Sequence, residues 1–187
     1  LQDYALYKRE RRLMDFSDLL RYADRALERV PALLAELQTR YPYVQIDEAQ
    51  DTSPIQQRIA GRIAQQTGNL FLVGDEDQSI YGFRAAYPDA LMQFEQTYPK
   101  ARVLLMEENY RSTPEILRAA DAFIRKNHHR RPKTIHPTRA SGAAVRVIYA
   151  MDRADQYPWL VNMAASVREE TAVLYRNNDS ALRLIGL

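Results

Sequence analysis

Residues 43–68 read YVQIDEAQDTSPIQQRIAGRIAQQTG and predict one strand followed by one helix. Residues 43–46 are short and rich in β-forming side chains, and they lead directly into the acidic pair Asp47-Glu48. Ser53 is followed directly by Pro54 and three residues later by Gln56, a pattern that is typical of a helix start. Gly68 ends the apolar periodicity of this helix. A buried strand that delivers carboxylates at its C-terminal end is typical of a parallel α/β sheet.

The same order of strand and helix repeats along the chain. Apolar runs predict further strands at residues 70–73, 102–106, 145–150 and 171–175, and helical periodicity predicts helices at 15–29, from Pro31, near Pro88, from Pro114 and at 155–169. The box Ser-Thr-Pro-Glu at residues 112–115 predicts a capped helix start. This alternation predicts an α/β fold with a parallel sheet.

The composition is that of an ordinary globular chain of 187 residues, with 46% hydrophobic and 27% charged residues. The absence of cysteine excludes disulfides, thiolate catalysis and cysteine-ligated zinc, and favours a reducing compartment such as the cytoplasm. No apolar run approaches the roughly 18 residues of a membrane span, so no membrane partner is expected. A net charge of +2 is too small to indicate nucleic acid by itself.

Polar residues follow three of the predicted strands, where ligands gather in open parallel sheets. After the first, one carboxylate of Asp47-Glu48 can hold hydrated Mg²⁺ while the other orients an attacking water, as nucleotide hydrolysis requires. The second is followed by residues 74–84, GDEDQSIYGFR, which combine carboxylates and a glutamine with aromatic rings suited to stacking on bases. After the third, Tyr110 offers a flat face to a purine and Arg111 can stabilise phosphoryl charge.

These three segments resemble motifs II, III and IV of the superfamily 1 helicases of the UvrD, PcrA and Rep type, in the same order. Residues 14–20, MDFSDLL, and 172–178, AVLYRNN, resemble two further blocks of that family. The resemblance implies two incomplete RecA-like units, residues 1–105 and 106–187. It implies an ATP-dependent DNA helicase that uses ATP and Mg²⁺ and translocates on single-stranded DNA with 3′ to 5′ polarity, unwinding duplex at single-strand/double-strand junctions.

The resemblance also implies roles for individual residues. The implied catalytic residues are Asp47, Glu48, Gln78 and Arg111, with Asp47 as the Mg²⁺ ligand, Glu48 as the general base and Arg111 as an arginine finger. The implied nucleotide contacts are Tyr110, Arg111, Gln50 and Gln78, and the implied DNA contacts are Tyr81, Phe83 and Arg84.

Two expected elements of this family do not occur in the sequence. No glycine is followed by lysine, so the glycine-rich phosphate loop is missing, and the later motifs of the second unit are missing as well. The resemblance therefore predicts an internal part of a motor that does not hydrolyse ATP by itself. Two alternatives remain open: a non-catalytic remnant or module that binds single-stranded DNA or a partner, and the helicase subunit of a helicase-nuclease of the RecB or AddA kind.

A basic stretch at residues 125–133, RKNHHRRPK, has two possible interpretations. Its lysines and arginines could contact nucleic-acid phosphates. It could equally be a solvated surface. Its histidines lack a convincing set of further ligands, so no zinc site is predicted. Trp159, at helical spacing with its apolar neighbours, is predicted to fill the core of the second unit.

Overall fold

The computed structural model describes residues 2–79, 89–152 and 154–185 of the chain. It divides into two compact units, Leu1–Gly142 and Ala143–Leu187. Helices and short parallel strand pairs make it a mixed α/β structure, which confirms the predicted class at that level. The RecA-like identity of the units and the predicted boundary near residue 105 stay predictions.

The first unit contains most of the regular structure. Its helices are α1 (Gln2–Arg11), α2 (Phe16–Arg29), α3 (Pro31–Arg40), α4 (Pro54–Ala64), α5 (Asp89–Met92), α6 (Phe94–Thr97) and α7 (Pro114–Ile124). Its strands are β1 (Val44–Ile46), β2 (Leu70–Leu72), β3 (Glu108–Asn109) and β4 (His136–Pro137). β1 pairs in parallel with β2, Val44 opposite Leu70, and β3 pairs in parallel with β4, Glu108 opposite His136.

Helix α2 begins with a reciprocal cap. The backbone N–H of Asp18 donates to Asp15 Oδ1 at 2.9 Å, and the backbone N–H of Asp15 donates to Asp18 Oδ2 at 3.2 Å. The ammonium of Lys8 in α1 binds both carboxylates. Asp15 accepts hydrogen bonds from the Lys8 ammonium and from the backbone N–H of Asp18, and these bonds lower its pKa to about 2. The cap therefore also fixes the end of α1 against the start of α2.

Helix α4 starts where the sequence predicts. Ser53 is the N-cap residue, Pro54 occupies the first turn, and the backbone N–H of Ser53 donates to Gln56 Oε1 at 2.8 Å. Ala60 and Ala64 are buried on this helix, and Leu27 is buried on α2, which packs against it. Small residues on α4 allow the two helices to approach closely, and this contact forms the core of the first unit.

Asp24 on α2 binds two arginines of α4 beside this core. Its Oδ1 lies 3.2 Å from Arg62 Nε and its Oδ2 lies 3.2 Å from Arg58 Nη2. We expect Asp24→Ala to lower the free energy of unfolding by about 1 kcal/mol. A largely buried carboxylate with two arginine partners contributes more to stability than an ordinary surface ion pair does. Chemical denaturation of the chain measures the effect. Glu28→Ala is the matched control: the exposed Glu28 lies 3.9 Å from Arg62, and an equal loss there would contradict the prediction.

Three predicted strands are not strands in the structure. Residues 102–106, 145–150 and 171–175 have no regular secondary structure. Met106, Tyr149 and Leu174 within them are almost fully exposed. An apolar run becomes a strand only when a neighbouring strand accepts its backbone hydrogen bonds, and no such pairing reaches these runs among the described residues. Their sequence pattern was therefore insufficient to define a strand.

Helix α7 begins at the predicted proline, but the predicted capping box is wrong. Thr113 is the N-cap residue, so Glu115 stands at the second helical position, one residue too early for the reciprocal bond. Its carboxylate instead accepts the backbone N–H of Gly142 and the hydroxyl of Ser141, each at 2.8 Å. These bonds, the one from the Gly142 N–H first, lower the pKa of Glu115 to about 2.

The helices of the second unit are α8 (Gln156–Ala164) and α9 (Asn178–Ile185), and the segment that joins them has no helix or strand. Helix α8 is shorter than the predicted 155–169. A cleft of about 270 Å³ lies between α8, the segment around Leu174 and α9. Trp159 is 40% exposed, so the prediction that it fills a core is not met in the structure. In neither unit do the described residues include a helix long and apolar enough to cross a bilayer.

Candidate functional site

The parallel pairing of β1 and β2 brings their C-terminal ends to one edge. The backbone N–H of Val73 donates to the carbonyl of Ile46 at 2.8 Å, and the N–H of Ala49 donates to the carbonyl of Val73 at 2.9 Å. These bonds continue the pairing beyond the strands themselves. As a result, the acidic pair after β1 lies beside the polar loop after β2, as the parallel sheet predicts.

The two carboxylates after β1 are exposed and locally fixed. Glu48 is in the left-handed region, with φ of +48° and ψ of +45°, which is uncommon for a residue with a side chain. Its backbone N–H donates to Asp47 Oδ1 at 2.9 Å. Its own carboxylate accepts the side-chain amide of Gln50, with Nε2 and Oε2 2.6 Å apart. Strained backbone held by neighbouring bonds is typical of functional sites.

Gln50 is the buried link between the two strand ends. It is 1% exposed, and its amide group is used at both ends: Nε2 donates to Glu48, and Oε1 accepts the backbone N–H of Asp75 at 3.0 Å. A buried glutamine needs such partners, because each unpaired polar atom costs about 1–3 kcal/mol. The structure thus shows Gln50 positioning Glu48, and its predicted contact with nucleotide stays a prediction.

Gln78 joins the same network through Asp75. It ends the 3₁₀ turn Glu76–Gln78, and its Nε2 donates to Asp75 Oδ2 at 2.9 Å. Asp75 therefore contacts both predicted glutamines, Gln50 through its backbone N–H and Gln78 through its side chain. One hydrogen-bonded group therefore contains four predicted site residues: Asp47, Glu48, Gln50 and Gln78. Asp75, which was not among the predicted site residues, joins Gln78 to the other three.

Residues 75–77, Asp-Glu-Asp, form an acidic loop whose carboxylate oxygens lie within 4.8 Å of one another. Such an arrangement could hold a cation, and here the ammonium of Lys133 supplies the positive charge. Lys133 Nζ binds Asp75, lies 3.3 Å from Glu76 Oε1 and lies 3.0 Å from Asp77 Oδ2. The guanidinium of Arg130 binds Asp77 through two bonds of 2.8 and 2.6 Å.

These ion pairs shift the pKa values of Asp77 and Lys133. Burial raises the pKa of Asp77, but the bonds from Arg130 and Lys133 outweigh it and hold that pKa below its ordinary value. For Lys133, burial favours a lower pKa, but the hydrogen bonds to Asp75 and Asp77 have the larger effect, so the pKa of Lys133 lies above its ordinary value. Residues 130–133, the basic segment, are thus bound within the protein, which neither of the two interpretations of the basic stretch anticipated.

Tyr110 and Arg111 follow β3, in the other strand pair. The backbone N–H groups of Arg111 and Ser112 donate to Asn109 Oδ1 at 3.1 and 2.8 Å, and Arg139 Nη1 donates to the carbonyl of Arg111 at 2.9 Å. Tyr110 is 75% exposed. The described bonds of Arg111 stay within its own strand pair and do not join it to the carboxylates after β1.

The predicted DNA contacts Tyr81, Phe83 and Arg84 lie outside the described residues. Their roles stay predictions from the sequence.

Gly74 lies where the loop after β2 passes closest to Gln50. A Cβ added at this position would lie 2.6 Å from Gln50 Oε1, 2.8 Å from Leu91 Cδ1 and 3.2 Å from the backbone nitrogen of Ala49. We expect Gly74→Ala to lower the free energy of unfolding by about 1–3 kcal/mol, because overpacking forces Gln50 and the strand end apart. Denaturant titration of the purified chain measures this loss.

Gly61→Ala in α4 is the matched control for that experiment. Its added Cβ would meet the Tyr98 hydroxyl at 2.9 Å, which is the end of a flexible side chain. Alanine also favours helix over glycine by up to about 1 kcal/mol. The control is therefore expected to keep or gain stability, and a Gly74 variant as stable as the Gly61 variant would refute the close approach.

The donor set after β1 fits a magnesium ion. Mg²⁺ prefers hard oxygen ligands and keeps several waters, so an exposed carboxylate such as that of Asp47 suits it. Glu48 is adjacent to it in sequence and is also exposed, so both groups can face a bound metal-nucleotide complex. The phosphate cradle of backbone amides and lysine is not supplied by this sequence.

Two family models match the chain. The UvrD/REP helicase N-terminal domain matches residues 1–99, and the UvrD-like helicase C-terminal domain matches residues 104–185. An ATP-dependent DNA helicase PcrA of Staphylococcus epidermidis is 36% identical over 171 residues, covering 88% of this chain and 24% of that protein. The ATP-dependent DNA helicase PcrA of Staphylococcus aureus is 34% identical over 184 residues, covering 94% of this chain and 25% of that protein.

The chain spans about a quarter of the length of these curated relatives. Since the first family model covers more than half of the 187 residues and the second covers most of the rest, the match extends over nearly the whole sequence. The predicted resemblance is confirmed, and the chain belongs to the UvrD/REP helicase family.

Proposed function

We propose that the chain is part of a DNA-stimulated ATPase that translocates on single-stranded DNA and unwinds duplex at single-strand/double-strand junctions with 3′ to 5′ polarity. The observation that carries the proposal is the network of Glu48, Gln50, Asp75 and Gln78 at the strand ends. It combines a carboxylate poised toward solvent with polar links into a second loop. The proposed location of this work is a bacterial-type cytoplasm, in association with the nucleoid.

Each proposed role is the one that the family resemblance implies, and the chemistry of the side chain is suited to it. A bound Mg²⁺–ATP complex supplies the phosphoryl group and charge neutralisation. Asp47 would hold the metal. Glu48 would accept a proton from the water whose oxygen bonds to the terminal phosphorus as ADP leaves, while Gln50 holds the Glu48 carboxylate in orientation.

The remaining predicted residues complete the site. The exposed ring of Tyr110 stacks on the adenine, and Arg111 stabilises negative charge on the transferred phosphoryl group. Gln78 links the nucleotide to the loop that continues into Tyr81, Phe83 and Arg84, whose side chains bind single-stranded DNA by stacking and charge.

ATP hydrolysis by the protein encoded in the complete reading frame tests the proposal. It is measured with and without single-stranded DNA, beside the 187-residue chain alone. We expect strong DNA-stimulated turnover from the complete protein and none from the chain alone, because the phosphate loop is not in its sequence.

A second candidate, a non-catalytic module that binds single-stranded DNA, is favoured by that same missing phosphate loop. Turnover by neither protein, with DNA binding retained, would establish this module and remove every catalytic role assigned above.

A further inference from the structure

We infer that Lys133 is a positioning residue for the candidate site: by neutralising the acidic loop (residues 75–77) it fixes Asp75, and through Asp75 it fixes both Gln50 and Gln78. The consequence for catalysis rests on the proposed function. The positioning itself concerns only contacts between described residues.

The acidic loop needs a cation to hold its carboxylates together. One oxygen from each of its three adjacent carboxylates lies within 4.8 Å of the others, so the three negative charges repel one another. The Lys133 side chain is only 13% exposed and contacts all three. An ammonium has three donor protons, so one lysine can satisfy three acceptors at once. Without Lys133, the repulsion between the carboxylates favours an open conformation of the loop.

Asp75 is the residue through which Lys133 acts on both glutamines. One carboxylate oxygen of Asp75, Oδ1, accepts from Lys133, and the other, Oδ2, accepts from Gln78 at 2.9 Å. The backbone N–H of the same residue donates to Gln50, whose amide holds Glu48. Any displacement of Asp75 therefore changes the partners of both glutamines, and the carboxylate of Glu48 loses its orientation.

The acidic loop and the basic residues that bind it lie in different matched parts of the chain. The acidic loop lies in the part that matches the N-terminal helicase model, and the basic segment (residues 130–133) lies in the part that matches the C-terminal one. Arg130 reinforces the contact through its two bonds to Asp77. The orientation of the general base thus depends on a charge supplied by the other matched part, and this dependence is a means of coupling the two.

Lys133→Met is the direct test, with Lys126→Met as the matched control on the exposed part of the same basic stretch. In the 187-residue chain, the ¹⁵N side-chain amide signals of Gln50 and Gln78 are expected to shift in the Lys133 variant and not in the control. In the complete protein, the DNA-stimulated kcat is expected to fall about tenfold or more, with the KM for ATP nearly unchanged. Lys133→Arg is expected to restore much of the rate.

The two assays separate the inference from the proposed function. Unshifted amide signals in a folded Lys133→Met chain overturn the inference, and so does an unchanged kcat in an active protein. If the complete wild-type protein lacks DNA-stimulated hydrolysis, the proposed function fails, and the amide signals still decide the positioning. Should Lys133→Met not fold, Lys133→Gln combined with Glu76→Gln removes the cation together with one of the three carboxylates. Asp75 still loses its ammonium partner, so the Gln50 and Gln78 signals are expected to shift, and unshifted signals overturn the inference.

Discussion

Glu48→Gln in the complete protein is expected to lower the DNA-stimulated kcat by about 100-fold or more, the size of effect that a positioned general base contributes. Glutamine has nearly the shape of glutamate but cannot accept the proton of the attacking water. Its amide can still pair with Gln50, so the left-handed turn at residue 48 is expected to persist. Steady-state hydrolysis gives the rate, and equilibrium binding of a fluorescent ATP analogue is expected to be retained.

Glu36→Gln is the matched control, since it makes the same chemical change at an exposed position of helix α3. We expect its rate to stay within about twofold of the wild type, as for a surface substitution away from the site. Wild-type hydrolysis by Glu48→Gln would contradict the general-base role. Loss of nucleotide binding along with the rate would instead show that Glu48 acts in binding.

Arg111→Ala is expected to lower the same rate by about 1,000-fold, since an arginine finger stabilises charge that develops in the transition state. The Asn109 side chain accepts the backbone N–H of Arg111 and shapes the turn independently of the guanidinium. The substitution should therefore leave that turn intact. The KM for ATP is expected to change much less than kcat, and single-turnover hydrolysis separates the chemical step from product release.

Arg118→Ala removes an exposed arginine of helix α7, one that is 3.1 Å from Glu115, and is the matched control. It is expected to keep the wild-type rate. A loss at Arg111 confined to KM would assign this residue to ground-state binding. Arg111→Lys is expected to recover little, because a compact ammonium does not reproduce the planar, forked donors of the guanidinium.

Helix starts were the most predictable part of the fold. The cap at Ser53 and the proline after Thr113 begin α4 and α7 at the predicted residues. These signals depend on bonds between residues three or four positions apart, so the local sequence contains all the partners. The error at Glu115 has the same origin. Because the helix starts one position later than the capping box requires, the Glu115 carboxylate accepts the backbone N–H of Gly142, a residue distant in sequence, instead of that of the N-cap residue.

The meeting of the two strand ends at the candidate site was predictable from residue types. The acidic pair after β1 and the loop after β2 do meet, because parallel strands bring their C-terminal ends to one edge. What the pattern did not contain was the connection between them. Gln50 was predicted as a nucleotide contact, yet the structure buries it as a link between Glu48 and Asp75.

The amino-acid sequence established the family, the starts of α4 and α7 and the first two strands, since each depends on nearby residues or on a long motif. The tertiary structure established which distant groups pair. Arg130 and Lys133 bind carboxylates 53 and 58 positions away, and the opposite outcome, a solvated basic surface, was equally compatible with the sequence. Charge attraction is not specific to a partner, so the packing of the chain selects which carboxylates a lysine meets.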